Sequence, residues 1–225
     1  MLSMELLDFI FPKICVNCGQ LGSYLCSPCR EKIEKVEIQI CPVCTKPSIS
    51  GLTHPRCQTK LSLDGLYSFV FFSPPLPQAL YKLKYKFVKD FSNILVNNLR
   101  LDLPQLFKAY YITPIPLHKF KNNWRGFNQV EILAEMLAGR FKLNYKSSVL
   151  IRKKPTKSQV GLSKQERAEN VKSAFEIMDK AFAKDKQFLL FDDVWTSGAT
   201  LRNAGAVLKR SGAKKVWGLT LARSR

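Results

Sequence analysis

The chain has 225 residues, 46% of them apolar and 15 of them phenylalanine. That is enough for one sizeable packed domain with a small appendage, and it excludes a disordered polymer. Thirty-six lysines and arginines against 17 aspartates and glutamates leave a net charge of +19, a field that attracts nucleic acid, anionic lipid or phosphorylated small molecules.

Residues 1–8, Met1-Leu2-Ser3-Met4-Glu5-Leu6-Leu7-Asp8, carry acids where a secretory signal needs basic residues. Along the rest of the chain, charge or proline cuts every apolar run short of the ~18 residues that a membrane span requires. The expected compartment is the cytoplasm, with no membrane insertion, and cysteines there are reduced and available to metal.

All seven cysteines lie before residue 58. They read Cys15-x2-Cys18, Cys26-x2-Cys29 and Cys41-x2-Cys44, and a fourth pair, His54-x2-Cys57, has a histidine in its first position. A C-x2-C turn sets two thiolates on one side of a tight knuckle, and two knuckles make a tetrahedral zinc site. Eight ligands make two closed, structural sites. The sequential assignment is Cys15, Cys18, Cys26, Cys29 and Cys41, Cys44, His54, Cys57. Spacing alone leaves open an interleaved pairing, and also leaves open His54 as a plain loop histidine beside Pro55. So short a region has few large apolar residues and needs the metal to fold.

After residue 60 the texture changes. Gly65-Leu66-Tyr67-Ser68-Phe69-Val70-Phe71-Phe72 reads as a strand closed by Ser73-Pro74-Pro75. Residues 79–87 alternate like a strand, yet Leu80, Leu83, Phe87 and Phe91 share a helical face, and Pro77 at a first-turn position favours helix. A strand is expected at 109–113, a helix at 129–140 with Val130, Leu133, Ala134 and Leu137 inward, and a short strand at 149–151. A polar loop from 152 to 163 leads to a short helix near 164–170, and strands follow at 175–177 and 188–191. A helix at about 200–211 and a strand at 216–221 close the chain. Strands alternating with helices predict an α/β fold, a Rossmann-like parallel sheet covered on both faces. Two domains are expected, 1–60 and 61–225. The first holds seven basic and five acidic residues, the second 29 and 12, so the positive field belongs to the second.

The most pointed stretch is Phe188-Leu189-Leu190-Phe191-Asp192-Asp193-Val194-Trp195-Thr196-Ser197-Gly198-Ala199-Thr200. Four apolar residues make a buried parallel strand, and ligands bind beyond the carboxyl ends of such strands. Thr196, Ser197, Gly198, Ala199 and Thr200 offer hydroxyls and backbone N–H groups at the start of a helix, an anion cradle in which Gly198 admits close approach. Two acids beside a phosphate cradle make sense when the ligand carries hydroxyls near its phosphate, as a ribose 5-phosphate does. The other readings are a Walker B strand, for which no G-x-x-x-x-G-K-[ST] partner exists, bare Mg²⁺ chelation, and a solvated strand end with a helix cap.

The stretch resembles the phosphoribosyl pyrophosphate (PRPP) motif of type I phosphoribosyltransferases, with Ser197 in place of the usual second threonine. Pro114-Ile115-Pro116-Leu117-His118 with Arg125-Gly126-Phe127-Asn128-Gln129 resembles the middle motif of the ComF family of bacterial competence proteins. Gln159-Val160-Gly161-Leu162-Ser163, followed by Arg167, Asn170 and Ala174-Phe175, resembles its third motif, and the knuckles resemble its double zinc ribbon, with His54 for a cysteine. The resemblance covers nearly the whole chain. It implies a sheet of the type I phosphoribosyltransferase kind, PRPP bound with Mg²⁺, and a role in natural transformation that handles single-stranded DNA, with a competence helicase as candidate partner.

A working transferase would need cations around the pyrophosphate leaving group and no protein nucleophile. Asp192, Asp193, Arg125, Lys157 and Arg167 are the candidate catalytic residues, and the loop from 152 to 163 is a candidate cover. Trp124, Phe127 and Tyr145 are candidate stacking surfaces for DNA bases.

Overall fold

The computed structural model describes residues 12–83, 88–99, 101–117, 127–153 and 174–225. In chain order its strands are β1 (Gly65–Phe71), β2 (Tyr111–Pro114), β3 (Asn144–Tyr145), β4 (Leu150–Arg152), β5 (Phe175–Ile177), β6 (Gln187–Trp195) and β7 (Lys215–Arg223). Its helices are α1 (Ser27–Glu31), α2 (Leu76–Leu83), α3 (Val88–Asn93), α4 (Gln129–Phe141), α5 (Lys180–Ala183) and α6 (Ala199–Arg210). Five strands form a parallel sheet in the order β1-β7-β6-β2-β3. The fold is therefore α/β around a parallel sheet, as its alternation of elements predicts, with a cysteine-rich ribbon in front.

The apolar run of β6 explains the layering. Phe188, Leu189, Leu190 and Phe191 are each 0% exposed, because a parallel strand is covered on both faces and successive side chains alternate between them. Phe188 and Leu190 join a cluster with Leu201, Ala204 and Leu208 of α6, while Leu189 and Phe191 join one with Leu133, Ala134 and Leu137 of α4. Helix α4 starts where Asn128 Oδ1 accepts the Val130 N–H at 3.1 Å, and ends at Lys142 in the left-handed region at φ 54°. Its predicted inward stripe is buried throughout.

Two local expectations are corrected. Strands β4 and β5 do not join the parallel sheet; they pair antiparallel as a separate ribbon. Both are three residues long, too short for a period to reveal which sheet they enter. Helix α2 begins at Leu76 with Pro77 in its first turn, as expected; residues 84–87 lie outside the described residues. Strand β6 runs four residues further than the apolar run, through both acids to Trp195. Helix α3 carries Phe91 of the expected helical face, helices α1 and α5 have no counterpart in the sequence reading, and the helix expected near 164–170 lies outside the described residues.

The cysteine-rich ribbon docks on the outer edge of β1. Val36 N–H donates to Phe69 O and Phe71 N–H to Glu34 O, each at 2.9 Å, so residues 34–36 cover an edge that would otherwise be open to pairing. Gln39 Nε2 donates to Ser68 O at 3.0 Å while its Oε1 accepts the Ser68 N–H at 2.9 Å. Gly51, at φ +83°, lies so close to β1 that an added Cβ would sit 1.9 Å from Leu66 O.

Candidate functional site

The knuckles gather into two clusters, Cys15–Cys18–Cys26–Cys29 and Cys41–Cys44–His54–Cys57, with all ligand atoms of each cluster within 4.8 Å of one another. The pairing is thus sequential rather than interleaved, and His54 stands among the ligand atoms. Tetrahedral zinc, with Zn–S near ~2.3 Å, sets its sulfurs about 3.8 Å apart; Cys18 Sγ and Cys26 Sγ are 3.6 Å apart. His54 turns Nδ1 to within 3.3 Å of Cys44 Sγ, while its Nε2 lies 3.1 Å from Pro47 O. A backbone carbonyl on the far ring nitrogen is the usual way a zinc-binding imidazole is oriented. Asn17 Nδ2 donates to Cys29 Sγ at 3.2 Å, a second-layer bond of the same kind.

The thiols also need a cation to share charge evenly. Burial opposes ionisation of Cys15, yet backbone N–H groups of Cys18, Cys26 and Asn17 bring it down to about 6. At Cys26 the Cys29 N–H favours the thiolate, but burial and the neighbouring thiols push it up to about 12. Burial, with Cys44 and Cys41 beside it, pushes Cys57 up to about 11. Neighbouring thiols thus raise Cys26 and Cys57, a charge that a bound cation would relieve, and both donor sets fit structural zinc.

At the other site, β6 outruns its neighbour. Its last ladder partner in β2 is Pro114 opposite Phe191, whereas β7 accompanies it to Arg223 opposite Trp195. Asp192 and Asp193 stand on this extension. Asp192 lines a small cleft with Val194, Trp195, Thr196, Ser197, Gly198, Ala199, Thr200 and Leu201, of about 30 Å³, room for only a few water-sized groups. Asp193 receives Gln129 Nε2 from the first turn of α4 at 3.5 Å.

Burial, then the Asp193 charge, pushes Asp192 up to about 8, against the opposing pull of the Asp193 N–H, which donates to Asp192 Oδ1 at 3.0 Å, and of the Arg152 charge. An acid held neutral by burial and by a neighbouring like charge ionises when a cation arrives, and donates or accepts a hydrogen bond when a hydroxyl does.

The loop is built by contacts within itself. Gly198 caps α6 at φ 70°, and an added Cβ would meet the Trp195 ring at 2.1 Å. Its missing side chain therefore makes room for the indole, not only for a ligand as the sequence reading has it. Trp195 is 3% exposed. Ser197 Oγ accepts the Ala199 N–H at 3.4 Å, while Thr196 and Ser197 face solvent and Thr200 is half-buried.

Three positively charged or polar residues come to this crease with no clear sequence signal. Arg152, only the first residue of a basic run in the sequence, lends its charge to Asp192. Gln129 reads as an ordinary first helical residue. Arg202 looks like one solvated charge on α6, yet its Nη2 donates to Ser197 O at 2.7 Å and its Nη1 to Pro42 O at 3.1 Å. Its guanidinium carbon lies 5.6 Å from the centre of the Trp195 ring. Only a composite signal, an arginine one turn into the helix behind the hydroxyl loop, could have raised it. Arg125, Lys157 and Arg167, with His118 and Trp124, lie outside the described residues. Of the other stacking candidates, Phe127 and Tyr145 are half-buried, and Tyr145 packs against the core cluster of α4.

Comparison with known proteins adds an independent line. The double zinc ribbon domain matches residues 6–58. Competence protein F of Haemophilus influenzae is 31% identical over 150 residues, which are 65% of this chain and 62% of that protein, so the match spans less than two thirds of that relative. DNA utilization protein YhgH of Escherichia coli is 27% identical over 91% of this chain and 94% of its own. Competence protein ComFC of Bacillus subtilis is 28% identical over 89% and 84%. Among solved structures, glutamine PRPP amidotransferase from B. subtilis, complexed with ADP and GMP, is similar over 57% of this chain and 24% of its own, with 16% identity and a TM-score of 0.36. Along most of its length the chain is similar, at 27–31% identity, to competence protein F, ComFC and YhgH, and it carries a double zinc ribbon ahead of its parallel sheet.

Proposed function

We propose that the crease from Asp192 to Thr200 binds the phosphoribosyl part of PRPP together with Mg²⁺, and that the protein uses this scaffold to handle single-stranded DNA in natural transformation. The observation that carries the reading is the pairing of a raised-pKa carboxyl with a hydroxyl loop on one small cleft. The cleft has room for one phosphate-sized group. Asp192, and Asp193 beside it, are then left to take vicinal hydroxyls or the metal. The loop at the start of α6 supplies N–H groups and the positive end of the helix dipole to the phosphate. Asp192 and Asp193 would hold Mg²⁺, which when bound neutralises charge on the pyrophosphate.

The DNA part of the reading draws on the relatives' names and on the 29 basic against 12 acidic residues beyond residue 60. It takes residues 1–60 as the ribbon unit and 61–225 as the ligand unit, with a competence helicase as a candidate partner and the cytoplasm as the setting. Among the described residues no helix is long and apolar enough to cross a membrane.

Calorimetric titration of PRPP with Mg²⁺ into zinc-loaded protein tests the first part: heat is expected from the parent and not from an Asp192→Asn/Asp193→Asn variant, and equal heat from both would overturn it. Anisotropy with a labelled single strand tests the second, with affinity expected to fall steeply between low and moderate salt.

A second reading, an active phosphoribosyltransferase, is favoured by the Arg152 charge acting on Asp192, a cation of the kind that a negatively charged leaving group needs. It requires that pyrophosphate be released from PRPP when an acceptor is present.

A further inference from the structure

Arg202 bonds Pro42, 160 positions before it, and Ser197, 5 before it, and both bonds go to neutral backbone carbonyls, so the guanidinium keeps its charge beside the loop. Pro42 is buried inside the second knuckle, whose turn is closed by Cys41 N–H on Lys46 O and Thr45 N–H on Cys41 O, each at 2.9 Å. The direction of the Pro42 carbonyl is thus set by the same turn that aims Cys41 and Cys44 at their metal. At its other end Arg202 holds Ser197 O and lies over Trp195, whose ring fills the space beside Gly198. Metal knuckle, guanidinium, indole and loop form one packed series.

We propose that Arg202 is a positioning residue that couples the Cys41–Cys44–His54–Cys57 zinc site to the loop at residues 196–200, so that metal closure of the knuckle sets the shape in which the loop meets its ligand. The ligand named for that loop rests on the phosphoribosyl reading above; the coupling itself does not. A merely architectural role is already filled by other residues. Gln39 bonds Ser68, Arg223 Nη2 donates to Ile38 O at 3.0 Å, and Gly51 abuts Leu66. These hold the ribbon to β1 and β7, whereas Arg202 alone of this group reaches the loop. A planar guanidinium is suited to the task because it can donate to two carbonyls in fixed directions at once.

The test compares zinc-loaded parent, Arg202→Ala, Arg202→Lys, His54→Ala and the Arg202→Ala/His54→Ala double variant by hydrogen exchange at residues 196–201. Exchange there should rise roughly five-fold or more in each single variant, Arg202→Lys included, since an ammonium lacks the fork. Exchange at residues 188–191 should stay unchanged, which shows that the sheet remains folded. The double variant should be no worse than Arg202→Ala alone, because neighbours in one network are not additive. Reciprocally, PRPP with Mg²⁺ should slow zinc transfer to a chromogenic chelator in the parent and not in Arg202→Ala, a readout that simple glue would not move.

Parent-like exchange at 196–201 in Arg202→Ala or His54→Ala, full rescue by Arg202→Lys, or additivity in the double variant overturns the coupling. If exchange behaves as expected but PRPP gives no heat with the parent, the coupling stands and the phosphoribosyl reading falls. If PRPP binds the parent and Arg202→Ala equally, the reverse holds.

Discussion

The ribbon and the sheet handle apolar side chains in opposite ways. Ahead of residue 60, Leu21 is 67% exposed, Ile38 65% and Ile49 85%, whereas the four apolar residues that open β6 are each 0% exposed. A segment that leaves those aliphatic groups in water, with Leu25, Val36 and Ile40 buried, has little apolar burial to hold it. It is held by two metal clusters and by backbone pairing to the β1 edge, while the sheet is held by cores on its two faces. The comparison teaches that the two regions should fail separately.

Metal removal is the sharpest way to break that comparison and carries the largest expected effect. Apparent zinc-binding energies of structural sites are on the order of 10 kcal/mol, so chelation should melt the ribbon, read as loss of protected amides before residue 60. Residues 188–191 should stay protected; joint loss would make the two regions a single cooperative unit. Next comes Phe191→Ala in the sheet, with an expected cost of about 3–5 kcal/mol in chemical denaturation and no change in zinc content by metal analysis.

Gly198→Ala is smaller but local. A left-handed alanine costs about 1–2 kcal/mol, and the added Cβ must also displace Trp195, so the melting temperature should fall modestly while PRPP heat is lost.

Titration of Asp192 gives a pH signature. With its folded value raised to about 8 from an ordinary 3.8, the native state holds a proton that the unfolded chain has already released between those values. Stability should therefore decline as pH rises through that window, and Asp192→Asn should flatten the slope in melts from pH 5 to 9. A ligand that needs the ionised carboxylate should bind up to about tenfold more tightly per pH unit gained below 8.

Of similar size, Lys209→Met takes the cation from mostly buried Asp64 at 2.6 Å and should cost about 1–3 kcal/mol in chemical denaturation. Loss of the exposed Lys35–Asp102 pair between ribbon and body should leave the denaturation midpoint unmoved.

Much of the candidate site is legible in the sequence because it is local. Two-residue spacing between cysteines aims both thiolates to one side of a turn, and the histidine of the fourth pair takes its place by the same geometry. The apolar run at 188–191, the acids behind it and the hydroxyl loop before a helix are likewise set by backbone period and capping within a dozen residues. The extension of β6 through both acids escaped that reading, since its pairing to β7 is decided by a strand some 30 positions away. The separate β4–β5 ribbon escaped it for the same reason, as each strand is too short to carry a face preference of its own.

By itself, then, the sequence determines the four ligand pairs as candidates, the buried strand and the order of its acids and hydroxyls, because neighbours along the chain are constrained by covalent geometry. Only the tertiary structure decides that the knuckles pair sequentially, that Trp195 occupies the space Gly198 leaves, that Gln129 and Arg152 meet the acids, and that Arg202 spans from loop to ribbon. Those outcomes depend on which surfaces pack together after distant segments are brought into contact, and packing of that kind leaves no periodic trace in the residues that achieve it.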